Sequence, residues 1–295
     1  MKKLDPAADF RETIIAEICY ALGVSRSGLV HRLLAPLLRL PVGRLAQVAA
    51  HADGAIETGG LSGAARRILP DLSLQPSARG AERIPSAGPL LVVSNHPGGF
   101  DSVAILSYIP RRDIKVVLSD VPFTRAFSTA RRYFIFAPLN AAGGAKALRA
   151  CIDHLKDGGV VLIFANGDVE PDPASSREAG LPFRDWSRSV EIMLRKVPAA
   201  WLQVVIASGV LMPKYLRHPL VRLRQTAVRR QKLAEVLQIL RQVINPRGVR
   251  IAPRLSFAEP VKASDLFENG VMPSVIGIAR RLLEDHLVSI SPGVN

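Results

Sequence analysis

A short run near residue 95 brings together the residue types that acid–base chemistry requires. Apolar residues 90–93 lead into Ser94-Asn95-His96-Pro97-Gly98-Gly99-Phe100-Asp101. His96 and Asp101 lie five positions apart, and the glycines between them predict a tight turn that brings the carboxylate back to the imidazole. A neighbouring carboxylate fixes the tautomer of a histidine and stabilises its protonated form, so His96 can act as a general base. The pattern predicts deprotonation of a substrate hydroxyl, with the amides of Gly98 and Gly99 as donors to a developing oxyanion.

A purely structural role is the alternative for the same residues. Asp is favoured at a helix N-cap, so Asp101 can cap a helix over 102–109, and His96 can be a hydrogen-bonded turn residue. The strand before the motif and its Asn-His-Pro-Gly-Gly setting strengthen the catalytic interpretation. The chain has no G-x-S-x-G nucleophile elbow, so no acyl-serine intermediate is expected.

The elements around this motif alternate between apolar β runs and helical patterns. Helices are predicted over 101–109 and 143–156, and strands over 89–94, 114–118, 134–137, 160–164 and 204–207. Strands that alternate with helices predict an α/β fold with helices on the faces of the sheet. We expect this α/β domain to span residues 72–295.

Residues 1–71 predict a separate helical segment. Between Arg26 and Arg44 it is basic and amphipathic, and no acid occurs between 26 and 50. Such a segment suits an interfacial membrane helix, but a helix that packs on the main domain with a basic rim is an equal alternative. Pro36 and Pro41 break the apolar periodicity and predict two short helices rather than one.

The chain is strongly basic, and its charge is concentrated. Lys plus Arg is 39 and Asp plus Glu is 25, which gives a net charge of +14. Residues 211–250, called here the basic segment, hold ten of the cations and one acid, Glu235. Such concentration predicts an anionic partner: a lipid headgroup surface, an acidic carrier protein or nucleic acid. The aromatic content of 5% and the lack of a recognised nucleic-acid-binding motif argue against nucleic acid as the partner.

The two cysteines and the amino terminus bear on the compartment. Cys19 and Cys151 are far apart in helical patterns, so neither a disulfide framework nor a metal pair is expected, and a reducing cytoplasmic compartment is predicted. No run reaches 18 apolar residues, so no transmembrane helix is expected. The apolar stretch that a signal peptide requires is interrupted by Asp5, Pro6, Asp9 and Glu12.

Asn95-His96 followed by Asp101 resembles the first signature of the 1-acylglycerol-3-phosphate and glycerol-3-phosphate acyltransferases. The resemblance extends over roughly residues 85–265. Phe134 to Pro138 falls at the second signature of that family, Phe164 to Pro171 at the third, and Val204 to Gly209 at the fourth.

The resemblance implies a mixed, mostly parallel sheet flanked by helices, and transfer of a fatty acyl group from acyl-CoA or acyl carrier protein to a hydroxyl of a glycerolipid or lysolipid. His96 is then the base and Asp101 orients it, with no cofactor and no metal. A peripheral location on the cytoplasmic face of the membrane is expected, and the oligomeric state stays open. The implied substrate-binding candidates are Asn95, Asn166, Gly167, Asp168, Glu170, Arg131 and Arg132.

The sequence departs from the family where the acceptor phosphate is bound. Pro138 stands where an arginine is usual, and Asn166-Gly167 replaces Glu-Gly in the third signature. The loop 166–172 is acidic and would repel a phosphate, so the acceptor is neutral, zwitterionic or cationic, or other arginines supply the contacts. Two alternatives for the loop are an Asn-Gly turn without a ligand and, less favoured, a metal site. A catalytically weak lipid-binding relative is the alternative function.

Overall fold

The computed structural model describes residues 6–21, 29–138, 141–176, 178–245 and 248–290. Its strands are β1 (Ser77–Arg79), β2 (Leu90–Ser94), β3 (Ile114–Ser119), β4 (Phe134–Ala137), β5 (Val160–Phe164), β6 (Trp201–Ser208), β7 (Arg254–Phe257) and β8 (Val261–Lys262). Its helices are α1 (Pro6–Ala21), α2 (Leu29–Ile68), α3 (Asp101–Tyr108), α4 (Pro122–Arg125), α5 (Ala141–Lys156), α6 (Ser189–Lys196), α7 (Pro213–Leu216), α8 (Pro219–Arg222), α9 (Ala227–Ile244) and α10 (Val271–Ile290).

The strands form one sheet in the order β1-β7-β6-β2-β5-β3-β4, with β8 beside β6. β2 pairs parallel with both β5 and β6, while β7 and β8 run antiparallel to β6. The predicted mixed, mostly parallel sheet is therefore confirmed. Ser94 at the end of β2 lies opposite Phe164 and Val205. Because the carboxyl ends of parallel strands share one edge, the residues that follow β2 and β5 meet there.

The apolar composition of the central strands follows from burial on both faces. All five residues of β2 are buried, as an interior parallel strand requires. One face packs against α5, α6 and α10, and the other against α2 and α3. Cys19 and Cys151 are both buried.

The prediction of two short helices before residue 72 is wrong. α2 continues through Pro36 and Pro41, and its helical dihedrals are interrupted at Gly60, where φ is +62°. A proline costs a helix interior about 3 kcal/mol, so tertiary packing must offset that cost. Val42, Ala46 and Ala49 pack with the apolar face of α1 and supply this contact. The division of the chain at residue 72 stays a prediction.

Across the described ranges, no helix combines the length and the apolar composition that a membrane span requires.

Candidate active site

The turn after β2 is fixed by a buried amide. The Asn95 side chain donates to the Ala207 carbonyl at 2.9 Å and accepts from the Ala207 N–H at 2.8 Å. Asn95 is 1% exposed and does not line the pocket described below. It therefore ties the end of β2 to β6, whereas the sequence interpretation placed it against the substrate.

His96 and Asp101 form the pair that their spacing predicts. His96 Nδ1 lies 2.8 Å from Asp101 Oδ2, and the same oxygen accepts the Gly98 N–H at 3.2 Å. Asp101 is the first residue of α3 and is fully buried, and the N-cap position is occupied by Phe100, so the alternative role of Asp101 as the helix N-cap is wrong. The His96 ring packs on Phe164, with 4.4 Å between ring centroids. Because Nδ1 faces Asp101, Nε2 is the nitrogen left for a substrate.

Glu170 fixes the backbone of this turn at His96. Its carboxylate accepts the His96 N–H at 2.8 Å and the Trp186 indole N–H at 3.0 Å, and its own N–H donates to the His96 carbonyl at 2.7 Å. The side chain is fully buried with both oxygens engaged, so it positions His96 and does not line the pocket. Burial raises the pKa of Glu170 to about 7, although the hydrogen bonds from Trp186 and His96 oppose that shift.

The two amides predicted as oxyanion donors are engaged by carboxylates. Gly98 N–H donates to Asp101, and Gly99 N–H donates to Glu235 on α9. A Cβ at Gly99 would lie 2.9 Å from Glu235 Oε1, so a larger residue there would require the Glu235 side chain to shift. In this arrangement both amides are occupied by carboxylates, so neither is available to an oxyanion as the sequence predicted.

A large apolar pocket opens beside His96. Its volume is about 790 Å³, which is within the range of ligand sites. Its wall is formed by residues of α2, α3, α5 and α6 and of β3, β4 and β5. Gly99, Asn166 and Gly167 also line it. Among the described residues that line it, none is an aspartate, glutamate, lysine or arginine. Such a cavity fits an alkyl chain, with the imidazole at its wall.

Comparison with known proteins agrees with this arrangement. Residues 75–208 match the sequence model of the Acyltransferase family. The chain carries an acyltransferase-family domain. The predicted family resemblance is thereby confirmed, and the paired His96 and Asp101 both lie within the matched residues.

The whole fold is similar to the crystal structure of the 1-acyl-sn-glycerophosphate (LPA) acyltransferase PlsC from Thermotoga maritima. The TM-score is 0.50 at 16% sequence identity, and the match covers 98% of this chain and 96% of that chain. At this identity the similarity supports the fold and carries no conclusion about substrate. No curated protein matches the sequence at a significant level.

Three carboxylates set the charge of the histidine in the acyltransferase domain. Burial disfavours the imidazolium, but the charge and hydrogen bond of Asp101, helped by Glu235 and Glu170, outweigh it and raise the pKa of His96 to about 9. Burial also raises the pKa of Glu235. The resting imidazole is therefore protonated at pH 7.

One polar face of α9, which the sequence interpretation missed, forms hydrogen bonds to the loops near residues 97, 170 and 210–212. Gln231 donates to the carbonyls of Pro97 and Glu170 at 2.8 and 2.6 Å. Gln238 donates to the Val210 carbonyl and accepts the Met212 N–H, at 2.8 and 2.7 Å. A signal was present in the sequence: these polar residues follow one helical face. The set is Gln231, Glu235, Gln238 and Gln242.

The acidic loop does not gather its side chains at one point. Asp168 pairs with Lys232 on α9 at 2.8 Å, whereas Asp172 is buried and accepts the N–H groups of residues 209–211. Glu170 accepts the His96 N–H, as described above. Within the described ranges no three His, Cys, Asp or Glu side chains converge as metal ligands, these three included.

The two candidate arginines lie outside the pocket. Arg131 and Arg132 are exposed on a 3₁₀ turn over 130–133, and Arg132 stacks on the Tyr133 ring at 5.0 Å. Pro138, at the position where the family carries an arginine, does line the pocket. The structure therefore separates Arg131 and Arg132 from the candidate site.

Proposed function

We propose that the protein transfers a fatty acyl group from the thioester of acyl-CoA or acyl carrier protein to a hydroxyl of a glycerolipid or lysolipid. The observation that carries this proposal is the His96–Asp101 pair, 2.8 Å apart, at the wall of an apolar pocket large enough for an acyl chain. The acyltransferase-family match is consistent with the reaction class. The reaction requires no cofactor.

The chemistry is a single displacement. Neutral His96 accepts the proton of the acceptor hydroxyl through Nε2 while the hydroxyl oxygen attacks the thioester carbonyl. Asp101 holds the ring and balances the charge of the imidazolium that forms. When the tetrahedral intermediate collapses, the C–S bond breaks and the imidazolium returns its proton to the thiolate. The Gly99 amide, once released by Glu235, donates to the oxyanion.

Cys151 lies at the pocket wall but does not suit covalent catalysis. Burial raises the pKa of its thiol to about 12. A thiol with so high a pKa is almost entirely protonated at neutral pH and is a poor nucleophile. Direct transfer is therefore favoured over an acyl-cysteine intermediate.

The surface around α8 carries exposed apolar and basic side chains that suit contact with a membrane. Leu220 and Leu223 are 52% and 78% exposed, and they flank Arg222 in a part of the chain without acids. Exposed leucines between arginines suit the boundary between lipid headgroups and acyl chains. We place the protein peripherally on the cytoplasmic face of the membrane, with the lipid surface and the acyl donor as partners and nucleic acid not among them.

Transfer of radiolabelled palmitate tests the proposal. Palmitoyl-CoA and palmitoyl-carrier protein are each offered with glycerol-3-phosphate, lysophosphatidate, monoacylglycerol and lysophosphatidylcholine. We expect transfer by the wild type and none by His96→Ala. His51→Ala is the matched control, because His51 is exposed on α2 and pairs with Asp71 away from the pocket lining. Folded wild type that binds lipid but transfers nothing identifies the lipid-binding relative instead.

A further inference from the structure

The candidate site lacks the cations that recognition of a phosphate requires. Of the described residues that line the pocket, none is a lysine, an arginine or a protonatable amine other than His96. Its polar lining consists of hydroxyl groups, such as Ser102 and Thr124, and the Asn166 amide. A phosphate monoester would lose its hydration there with His96 as its one cationic partner among the described lining residues, and His96 must be neutral to act as the base.

The charges that act on His96 are negative. Asp101, Glu235 and Glu170 each favour its protonated form, and Glu235 reaches the edge of the pocket at Gly99. Lys232 on the neighbouring turn of α9 is paired with Asp168 at 2.8 Å. A phosphate bound next to the reacting hydroxyl would be repelled by these carboxylates and would also hold His96 in the protonated form that cannot act as a base.

Three arginines lie between β3 and β4, and none of them lines the pocket. Arg125 is bonded to Asp120, and Arg131 and Arg132 are exposed outside the pocket lining. Pro138 takes the place on the wall at which the family carries its arginine. The apolar wall and the carboxylates around His96 thus both disfavour a phosphate at the site.

We infer that the acceptor carries no net negative charge beside its reacting hydroxyl, so that it is a neutral acyl polyol or a lysolipid whose phosphate is offset by an ammonium group. This inference rests on the proposed acyl transfer and narrows its acceptor. Selection arises because carboxylates near the base penalise an anion more than a neutral or zwitterionic group.

Acceptors matched in their palmitoyl chain test the inference. Monopalmitoylglycerol, palmitoyl-lysophosphatidylcholine and palmitoyl-lysophosphatidate are presented in the same neutral detergent micelles, so that only the headgroup differs. We expect kcat/KM for at least one of the first two to exceed that for lysophosphatidate by about tenfold or more. Equal or better use of lysophosphatidate overturns the inference and leaves acyl transfer intact. No transfer to any acceptor from either donor overturns the proposed function, and the inference with it.

Two variants test the electrostatic cause. Glu235→Gln removes a charge but keeps an oxygen to accept the Gly99 N–H, and we expect it to raise lysophosphatidate use relative to monopalmitoylglycerol about threefold. Pro138→Arg adds a cation to the pocket wall and should raise the same ratio about tenfold. Glu259→Gln is the control, since Glu259 pairs with Arg83 outside the pocket lining. An unchanged ratio in both variants would show that charge does not select the acceptor.

Discussion

The apolar pocket and the basic segment both reach the turn at Gly99, yet their compositions are opposite. Gly99 lines the pocket, whose described wall has no aspartate, glutamate, lysine or arginine, and its amide donates to Glu235 of α9. The basic segment holds ten cations, and Glu235 is its one acid. That acid is the residue turned toward the site, while Arg222, Arg229 and Arg230 are exposed.

The difference shows that the net charge of +14 describes the surface and not the site. An arginine in the pocket would lose its hydration, which is costly without a paired anion, whereas an exposed arginine keeps it. We therefore propose that the surface attracts an anionic partner while the site disfavours anions beside His96. The predictions below separate these two roles.

The largest expected effect is at Asp101. Asp101→Asn removes the charge that stabilises the imidazolium and should lower kcat by about 100- to 10,000-fold. Arg222→Gln, which removes a charge from the basic segment, should leave kcat unchanged with acceptors in neutral micelles. Comparable losses in both variants would mean that the two regions do not divide the work in this way.

The pH dependence reports the charge of the site directly. The base must be neutral, so kcat/KM should rise by about tenfold per pH unit from pH 7 and level off near the His96 pKa of about 9. Stability has the opposite sign, because the contribution of the ion pair is complete below pH 6.5 and is lost as pH rises through about 9. Rate measurements and chemical denaturation across pH 6–10 check both. A rate independent of pH over this range contradicts the role of His96.

The basic segment is tested with vesicles. Replacement of Arg222, Arg229 and Arg230 by Gln removes about 1 kcal/mol of attraction per residue, so binding to anionic vesicles should weaken about 100-fold at low salt. Transfer to acceptors in neutral micelles should not change. Sedimentation with phosphatidylglycerol vesicles measures the effect, and phosphatidylcholine vesicles serve as the control. Undiminished binding of the triple variant would place the membrane contact elsewhere.

The smallest effect is on the acyl chain. Gly144 lies on α5 at the pocket wall, and a Cβ added there meets nothing within 4 Å. Gly144→Phe should therefore occupy space in the pocket and lower transfer of palmitate relative to octanoate by about tenfold. Gly144→Ala is the matched control: it should stabilise the helix by about 0.5–1 kcal/mol without changing chain preference. Equal chain preference in all three proteins would locate the acyl chain outside this pocket.

The elements that the sequence predicts well are those governed by local pattern. Apolar residues 134–137 and 160–164 are strands with those same limits. For 160–164 the reason is that an interior parallel strand must be apolar on both faces. The helix before residue 72 was predicted incorrectly, since the cost of Pro36 and Pro41 is a local signal while the packing of α2 on α1 is not.

By itself, the sequence determined the alternation of strands and helices and the His96–Asp101 pair. That pair spans five residues across a glycine turn, so its geometry is local. The tertiary structure decided which groups surround it. Glu170 is 74 positions from His96, and Glu235 is 136 positions from Gly99. Contacts at such separation depend on how the elements pack, so no spacing rule predicts them. The apolar wall has the same origin, because it is assembled from segments that only the fold brings together.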